Sequence, residues 1–295
     1  VSQNDEYSLN NVLTQEWEVE IFPGTGDPLG YQEDFQFPIF PPNYYNVTNP
    51  DNDVRWVAAS NITGIDGSNT RAAVLRNSSF NKPGERDILT TQPIELGDED
   101  FVGLTFDLSY TTRGTTSDTL EVWISRDCGY TFEFTGYRKA GADLMTAPPI
   151  NQSYEPSSAG LWRTEVIGLQ DVKNSSIVIN FVNINNGGNN LYIDNINIKQ
   201  IEPPQSIIGN TDSEVCVGDI VFFEVQSVGE FIQTEWNFGP TSFQSLPTLN
   251  GSIFVAFDEP GPRTVTLTTF NGVAVDIDTL EINILEDAPI ANFTF

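Results

Sequence analysis

The chain has 295 residues, of which 39% are hydrophobic and 12% aromatic, enough for more than one domain core. Its 13 Lys and Arg against 41 Asp and Glu give a formal charge of −28, which disfavours nucleic acids and anionic membranes as partners. The absence of histidine excludes Ser-His-Asp and Cys-His catalytic sites and the HExxH zinc site. No apolar run approaches the roughly 18 residues of a membrane helix, so we expect no membrane insertion.

The hydrophobic pattern predicts strands throughout the chain. The 23 glycines and 18 prolines interrupt every window that could form a long helix. Elsewhere hydrophobic and polar residues alternate, with turn-rich stretches between the segments. The clearest predicted strands lie within 104–110, 120–124, 177–181, 221–225, 265–269 and 280–284. Short strands at such spacing are typical of β-sandwiches, so we expect an all-β fold.

The two ends of the chain are expected to belong to neighbouring modules. Alternation over 16–21 predicts the closing strand of an upstream module, and 288–295 begins the alternation of a following one. Pro203 and Pro204 mark a boundary, because proline removes backbone donors and stiffens the connection. With no secretory leader visible, we interpret the chain as a mature piece of a longer protein. The predicted units are 1–30, 31–202, 203–286 and 287–295.

The third of these units carries a specific pattern. Residues 236–239 read Trp-Asn-Phe-Gly, residues 260–267 read Pro-Gly-Pro-Arg-Thr-Val-Thr-Leu, and 215–219 has the form of an opening strand. Together they resemble the polycystic-kidney-disease (PKD) domain. The resemblance implies an immunoglobulin-like β-sandwich that acts as a spacer, with Trp236 and Phe238 in its interior.

Several motifs of the second unit resemble one kind of module when taken together. They are Glu33-Asp34-Phe35, the stretch 49–53 before Trp56, the segment 125–132, Trp162-Arg163 and the segment 188–196. The combination resembles the MAM-like or cleaved-adhesin-like jelly rolls of large bacterial proteins that use type IX secretion. A jelly roll followed by PKD domains is similar to the accessory regions of pappalysin-type metalloproteases and of adhesins. The resemblance implies a jelly-roll sandwich, a secreted or cell-surface location and a non-catalytic role.

Oxygen ligands occur at both ends of the second unit. In strand phase Asp194 shares a face with Ile196 and Ile198, and a carboxylate buried there needs a proton, hydrogen bonds or a cation. Calcium prefers about six to eight oxygen ligands. We therefore expect one structural calcium ion that joins the first and last strands, with Glu33, Asp34, Asp51, Asp53 and Asp194 as candidate ligands. Alternatively, Asp51 and Asp53 form Asx-turns and Asp194 pairs with an arginine such as Arg55.

Aromatic side chains offer a second kind of site, because rings exposed on a sheet face can stack on sugars. Trp123 is out of phase with the apolar residues at 120, 122 and 124, so it lies on the opposite face of its strand. We take Trp123, Tyr110 and Tyr137 as candidate ligand-binding residues and expect Trp162 to be structural. The alternative for each ring is core packing or contact between modules.

No catalytic constellation stands out. Among 41 acidic residues some pair will always fall at the spacing of about 5–10 Å that glycosidases use, and nothing in the sequence singles one out. The asparagine-rich segment 185–190 lacks the lysine of a phosphate-binding loop and is expected to be a hairpin loop.

Two cysteines remain, Cys128 and Cys216, in different predicted units. We expect two separately buried thiols rather than a disulfide.

The tripeptides at 118–120 and 278–280, each Asp-Thr-Leu, look like the O-glycosylation signal of these secreting bacteria, with Thr119 and Thr279 as acceptors.

The sequence therefore favours a non-catalytic adhesion or accessory region of a secreted or surface-anchored multidomain bacterial protein. It would bind protein or glycan ligands or contact neighbouring domains of its own chain. A carbohydrate-binding module of a secreted hydrolase is the main alternative. A pure spacer is a third possibility.

Overall fold

The computed structural model describes residues 30–209, 214–230, 232–241, 243–248 and 251–286. The predicted strands at 16–21 and 288–295 lie outside these residues. Residues 31–200 form two sheets of six strands each. Their strands are β1 (Tyr31–Glu33), β2 (Asn46–Thr48), β3 (Val57–Thr63), β4 (Asn69–Leu75), β5 (Arg86–Thr90), β6 (Ile94–Glu95), β7 (Val102–Tyr110), β8 (Thr119–Ser125), β9 (Glu133–Ala140), β10 (Arg163–Gly168), β11 (Ser176–Ile184) and β12 (Leu191–Gln200).

The order of strands in sheet I is β10-β7-β12-β4-β3, with β1 paired to β12. In sheet II the order is β2-β5-β11-β8-β9, with β6 paired to β11. All these pairs are antiparallel, so the chain forms the predicted all-β sandwich. The first strand lies beside the last, as expected, with Glu33 opposite Ile196. Short 3₁₀ turns connect some strands, at Asn77–Ser79, Gly141–Asp143, Ala159–Leu161 and Gln170–Val172.

The main core lies between these two sheets. Phe106 of β7 contacts Phe181 of β11 edge to face, with 5.1 Å between ring centroids. A smaller cluster around Tyr192 and Trp162 covers the other side of sheet I. All nine residues of β7 are therefore buried, including the polar ones that alternation alone would place in solvent.

Residues 208–285 form two further sheets of four strands each. Sheet III has the order β13-β15-β18-β17 and sheet IV the order β14-β20-β19-β16, in which β14 and β20 are parallel. The predicted boundary at 203–204 falls between the two pairs of sheets. The strands are β13 (Ile208–Gly209), β14 (Glu214–Cys216), β15 (Ile220–Val225), β16 (Gln233–Asn237), β17 (Phe243–Gln244), β18 (Ile253–Ala256), β19 (Gly261–Phe270) and β20 (Val275–Leu285).

The second sandwich has its own apolar core. Phe238 is buried in it and Trp236 packs against it partly buried, with the two rings stacked 5.3 Å apart. The six strands predicted from alternation are thus all confirmed, three in each sandwich.

Two glycines of the first sandwich allow the second one to approach closely. A Cβ on Gly168 would lie 2.9 Å from the carbonyl oxygen of Gly272, and one on Gly103 would lie 3.0 Å from the side chain of Val273. Beside this contact, Asn271 Nδ2 donates a hydrogen bond of 2.8 Å to the Glu202 carbonyl. The β19–β20 turn therefore packs closely against the ends of β7 and β10, where these glycines carry no side chain.

Three local predictions are wrong. The segment 185–190 is not a hairpin loop, since it joins β11 of sheet II to β12 of sheet I. Asp194 is buried but does not share a face with Ile196, because a β-bulge between Asp194 and Asn197 changes the strand phase. Cys128 is exposed and Cys216 half-buried, so neither thiol is a core residue, although both are free.

The described part of the chain contains no helix that is long and apolar enough to cross a membrane.

Candidate functional site: the Trp123 face and two acidic clusters

The outer surface of sheet II carries a row of side chains that runs across five strands. Register places Asn46 opposite Thr90, Thr90 opposite Asn180, Asn180 opposite Trp123, and Trp123 opposite Phe134. Cross-strand partners project from the same side of a sheet, so these five residues form one strip. We call the surface around this strip the Trp123 face. The prediction that Trp123 projects away from the core is confirmed.

The strip has an apolar end and a polar end. Trp123 is half-buried, Phe134 is 45% exposed, and their ring centroids lie 5.2 Å apart. On the other side Thr90 Oγ1 donates to Asn180 Oδ1 at 2.7 Å. Within the described residues the Asn180 amide nitrogen has no hydrogen-bond partner. A ligand lying along this strip would contact aromatic rings at one end and hydrogen-bonding groups at the other.

A second row fixes the tryptophan. Glu121, only 3% exposed, is opposite Arg138 and accepts a hydrogen bond of 3.0 Å from Trp123 Nε1 on its Oε2 atom. Arg138 lies 3.2 Å from Oε1, and Arg86 lies 3.6 Å from Oε2. Both carboxylate oxygens are therefore occupied. The indole orientation is held by a buried anion that two half-exposed arginines neutralise.

Phe134 reaches the Trp123 face through an irregular strand. The register of β9 shifts against β8 between Glu121 and Trp123, and Gly136 there has a φ of 89°. Such positive φ values favour glycine. Alternation is kept across this irregularity, so Tyr137 points into the core while Phe134 and Arg138 lie on the outer surface.

The expectation of exposed rings is wrong for Tyr110 and Tyr137. Tyr110 is fully buried, and its hydroxyl accepts a hydrogen bond of 2.8 Å from the Asp118 backbone amide. Tyr137 is 9% exposed and packs edge to face on Phe106. Neither offers a ring face to a ligand. Trp162 is structural as expected, since it is buried and donates to the Thr63 carbonyl at 2.7 Å.

The five candidate calcium ligands do not form one site. Glu33, Asp34 and Asp194 belong to the β1–β12 junction, whereas Asp51 and Asp53 follow β2 of the other sheet. Residues 30–286, where described, contain no cluster of three Asp, Glu, His or Cys side chains that could hold a metal ion. An ion in either place would need amide, hydroxyl or carbonyl oxygens as well.

At the β1–β12 junction the oxygens already have hydrogen-bond donors. Asp194 accepts from Thr70 Oγ1 at 3.1 Å and from the Asn195 amide at 2.8 Å. Gln36 Nε2 lies 2.8 Å from the Asp34 carbonyl and 2.7 Å from Thr70 Oγ1. Burial, with Asp107 and Asp34 nearby, raises the pKa of Asp194 to about 7. The alternative, a pairing of Asp194 with an arginine such as Arg55, is not formed among the described residues.

The second cluster, which we call the Asp87 cluster, lies beside the turn at Asp51. Asp51 Oδ1 accepts a hydrogen bond of 3.0 Å from the Asp53 amide. This is the Asx-turn that the sequence offered as the alternative to a calcium site. Lys82 Nζ lies 3.0 Å from Asp51 and 3.9 Å from Asp53. Those contacts lower the pKa of Asp51, the Asp53 amide having the largest effect and Lys82 the next.

Asp87 completes this cluster with a buried carboxylate that has no donor. Neither of its oxygens has a hydrogen-bond partner, and the same is true of Asn49 Oδ1. Thr48 pairs with Ile88, so Asn49 is next to Asp87 in the β2–β5 register. Burial, followed by the charges of Asp51, Glu85 and Asp53, raises the pKa of Asp87 to about 7. Three buried oxygen atoms without donors therefore lie at this position, and oxygen ligands are the kind that a hard cation takes.

Sequence reasoning missed Glu121, Phe134, Asn180 and Asp87. Glu121 could have been found, because it shares the period-two phase of Trp123 on β8. Phe134 could not, since its place opposite Trp123 depends on a register shift between β8 and β9. The partners of Asp87 depend on pairing between β2 and β5, which local patterns do not specify. The candidate acceptors Thr119 and Thr279 lie in strands β8 and β20, the first half-buried and the second exposed.

No protein-family model and no curated protein matches the chain. Solved structures that resemble it include the K1 cleaved adhesin domain of Lys-gingipain from Porphyromonas gingivalis W83, with 15% identity over 59% of this chain and 99% of that domain and a TM-score of 0.42. The Endo-D glycoside hydrolase domain of Streptococcus pneumoniae R6 has 11% identity over 81% of this chain and 37% of that one, with a TM-score of 0.35. A family 11 carbohydrate-binding module from Clostridium thermocellum was solved with a mixed-linked tetrasaccharide. It has 13% identity over 58% of this chain and 96% of that module, with a TM-score of 0.35. These three structures are an adhesin domain, a glycoside hydrolase domain and a carbohydrate-binding module, and TM-scores below 0.5 assign neither a family nor a function.

Proposed function

We propose that this chain is a non-catalytic adhesion or accessory region of a secreted or cell-surface multidomain protein, and that it binds a glycan on the Trp123 face. The observation that carries the proposal is the strip of side chains across sheet II. It joins the Trp123–Phe134 ring pair to Asn180 and Thr90 in one continuous surface.

The chemistry of this strip suits a sugar. The apolar side of a pyranose ring stacks on an aromatic face, and its hydroxyl groups then need donors and acceptors around the ring. Trp123 and Phe134 would supply the stacking surface. The free Asn180 amide nitrogen and the outer edges of Arg86 and Arg138 would supply hydrogen bonds.

Glu121 supports binding rather than hydrolysis. A glycosidase needs one carboxylic acid that protonates the leaving oxygen and a second carboxylate nearby. Both oxygens of Glu121 are held by Trp123, Arg86 and Arg138. Its role is to orient the indole before a ligand arrives, which lowers the entropic cost of binding.

Retention on immobilised polysaccharides tests this proposal. Cellulose, xylan, galactan and mannan are each presented to the wild type and to Trp123→Ala. We expect at least one polysaccharide to retain the wild type but not Trp123→Ala. Tyr130→Ala is the matched control, because Tyr130 is 90% exposed and does not belong to the strip. Equal retention of wild type and Trp123→Ala, or no retention on any polysaccharide, contradicts the proposal.

We further propose that the sandwich is stabilised by calcium at the Asp87 cluster. The orphaned oxygens of Asp87 and Asn49 carry this proposal. Amide, hydroxyl or carbonyl oxygens would complete the set, because the described carboxylates do not form a cluster of three. When bound, the ion would supply positive charge to the buried Asp87 carboxylate. It would thereby join the turn after β2 to strand β5. The β1–β12 junction is the weaker candidate, because its oxygens already accept hydrogen bonds.

Thermal unfolding in millimolar calcium and in excess chelator tests the calcium proposal. We expect the wild type to melt several degrees higher with calcium and Asp87→Asn to melt at one temperature in both. Asp194→Asn is the matched control and should keep the response. A wild-type melting temperature that calcium does not change would overturn the proposal.

A further inference from the structure

A cleft of about 480 Å³ lies at one end of the first sandwich, where four loops meet. The loops follow β4, connect β7 with β8, precede β10 and connect β11 with β12. The cleft shares no residue with the Trp123 face or with the acidic clusters. Its lining includes Phe80, Asn81, Arg113, Thr116, Asn151 and Gly187.

Two side-chain amides in the cleft are free to bind. Neither Asn81 nor Asn151 has a side-chain hydrogen bond to any described residue. Each lies beside a glycine of positive φ, so the amide occupies space that a side chain would otherwise fill. A Cβ on Gly187 would lie 2.8 Å from Asn81 Oδ1, and one on Gly114 would lie 3.2 Å from Asn151 Oδ1.

The loops around these amides are held in place by a buried polar network. Asp118 Oδ1 accepts from the Asn186 and Gly188 amides at 2.8 and 3.0 Å, and its Oδ2 accepts from Asn77 Nδ2 at 2.8 Å. Thr116 Oγ1 donates to the Gly187 carbonyl at 2.6 Å. The cleft is therefore formed before any ligand binds, which favours affinity.

The remaining groups define the ligand chemistry. Phe80 contributes a half-buried ring, and Lys82 Nζ lies 5.2 Å from its centroid. Arg113 is the charged residue among those lining the cleft, and its guanidinium already donates to the Ser78 carbonyl. A ring next to free amides and hydroxyls suits a neutral polyhydroxylated ligand, and the net charge of −28 disfavours a polyanion.

We propose that this cleft binds a neutral sugar residue and is a glycan subsite separate from the Trp123 face. The cleft has room for one or two pyranose rings, with Phe80 against the apolar side of a ring. The amides of Asn81 and Asn151 donate to and accept from its hydroxyls.

NMR titration of the whole chain tests this assignment. The side-chain amide signals of Asn81 and Asn151 are identified by their loss in Asn81→Ala and Asn151→Ala. Cellohexaose, xylohexaose, mannohexaose and galactotriose are then added separately, with polygalacturonate as an anionic probe. We expect at least one neutral oligosaccharide to shift both signals and Phe80→Ala to weaken that binding about tenfold or more. Trp123→Ala should leave it unchanged, which separates this subsite from the Trp123 face.

Three results would overturn the proposal. They are a panel in which no neutral sugar moves either amide signal, shifts produced by polygalacturonate alone, and shifts that vanish in Trp123→Ala. Unchanged melting temperatures of Phe80→Ala and Asn151→Ala exclude misfolding as the cause of lost binding.

Discussion

Trp123 and Glu121 project from the same face of β8, and the indole Nε1 donates a hydrogen bond of 3.0 Å to the Glu121 carboxylate. This contact couples the aromatic half of the Trp123 face to the ion pairs of buried Glu121 with Arg86 and Arg138 beside it. An acid on the outer surface of a sheet is normally solvated. Here Arg86, Arg138 and the indole enclose it, so its charge contributes both to stability and to the geometry of the ligand surface.

Replacing Glu121 by Gln should therefore weaken binding and stability together. Gln keeps one acceptor for the indole but leaves Arg86 and Arg138 without a counter-charge. We expect a loss of about 1–3 kcal/mol in unfolding free energy, since the arginines are half-exposed, and weaker glycan retention. Denaturant titration and affinity electrophoresis measure the two effects.

Glu133→Gln is the matched control for that prediction. Glu133 also pairs with an arginine, Arg126 at 3.4 Å, but its side chain is 70% exposed. Such surface ion pairs contribute little, so stability should change by less than about 0.5 kcal/mol. Equal effects of the two substitutions would contradict the role assigned to Glu121.

The raised pKa of Asp87 predicts a pH dependence of stability. Its folded pKa of about 7 exceeds the ordinary value of 3.8, so between these values the folded state holds a proton that the unfolded state has lost. In chelator, stability should therefore fall as pH rises from about 4 to 7. Asp87→Asn should remove a contribution of about 2–4 kcal/mol from that fall.

Unfolding free energies at pH 5 and pH 8 in chelator check this prediction. Asp66→Asn serves as the control, because Asp66 lies in an exposed Asx-turn where Ser68 lowers its pKa. A pH profile that is the same in wild type and Asp87→Asn would show that Asp87 is not protonated in the folded state.

Asp118 should be the most sensitive residue at the cleft end of the sandwich. It is fully buried and accepts four hydrogen bonds, including those from the Asn186 and Gly188 amides. Asp118→Ala leaves these donors unsatisfied, so we expect a loss of about 3 kcal/mol or more. Urea unfolding measures it. A loss below about 1 kcal/mol would mean that water replaces the carboxylate without cost.

The two sandwiches should respond separately to core substitutions. Phe238 is buried among Val221, Phe223 and neighbouring residues of the second core, and Phe238→Ala should cost about 3–5 kcal/mol there. Retention through the Trp123 face should persist at temperatures where the second sandwich has unfolded. Phe106→Ala, a substitution in the first core, should instead abolish retention through the Trp123 face. Loss of retention in both variants would show that the sandwiches fold as one unit.

Strand positions were predictable from sequence because both sandwiches bury alternate residues. The prediction failed where the backbone departs from that period. At Asp194 the bulge to Asn197, with Asn195 at a φ of 47°, moves Ile196 into the core and leaves Asp194 on the other side of the sheet. The sequence predicted correctly that Asp194 is buried, but it placed the side chain on the face of Ile196 and not on the opposite face of the sheet.

The residues of the candidate sites were only partly predictable. Trp123 follows from local phase on β8, which is confirmed. Asn180 lies beside it through pairing with a strand distant in sequence, and Phe134 through a register shift between β8 and β9. Tyr110 is buried by a network around Asp118 that no local pattern contains. Sequence periodicity specifies the faces of strands, whereas a binding surface depends on which strands are neighbours.

The central claim, that glycans bind at Trp123, is tested most directly by following the indole N–H signals of the five tryptophans during titration with a retained polysaccharide fragment. Trp123→Phe identifies the Trp123 signal. The account predicts that this signal shifts and saturates. The signals of Trp56 and Trp162, buried rings that donate to the Asp87 and Thr63 carbonyls, should remain in place. A Trp123 signal that no retained glycan moves would contradict it.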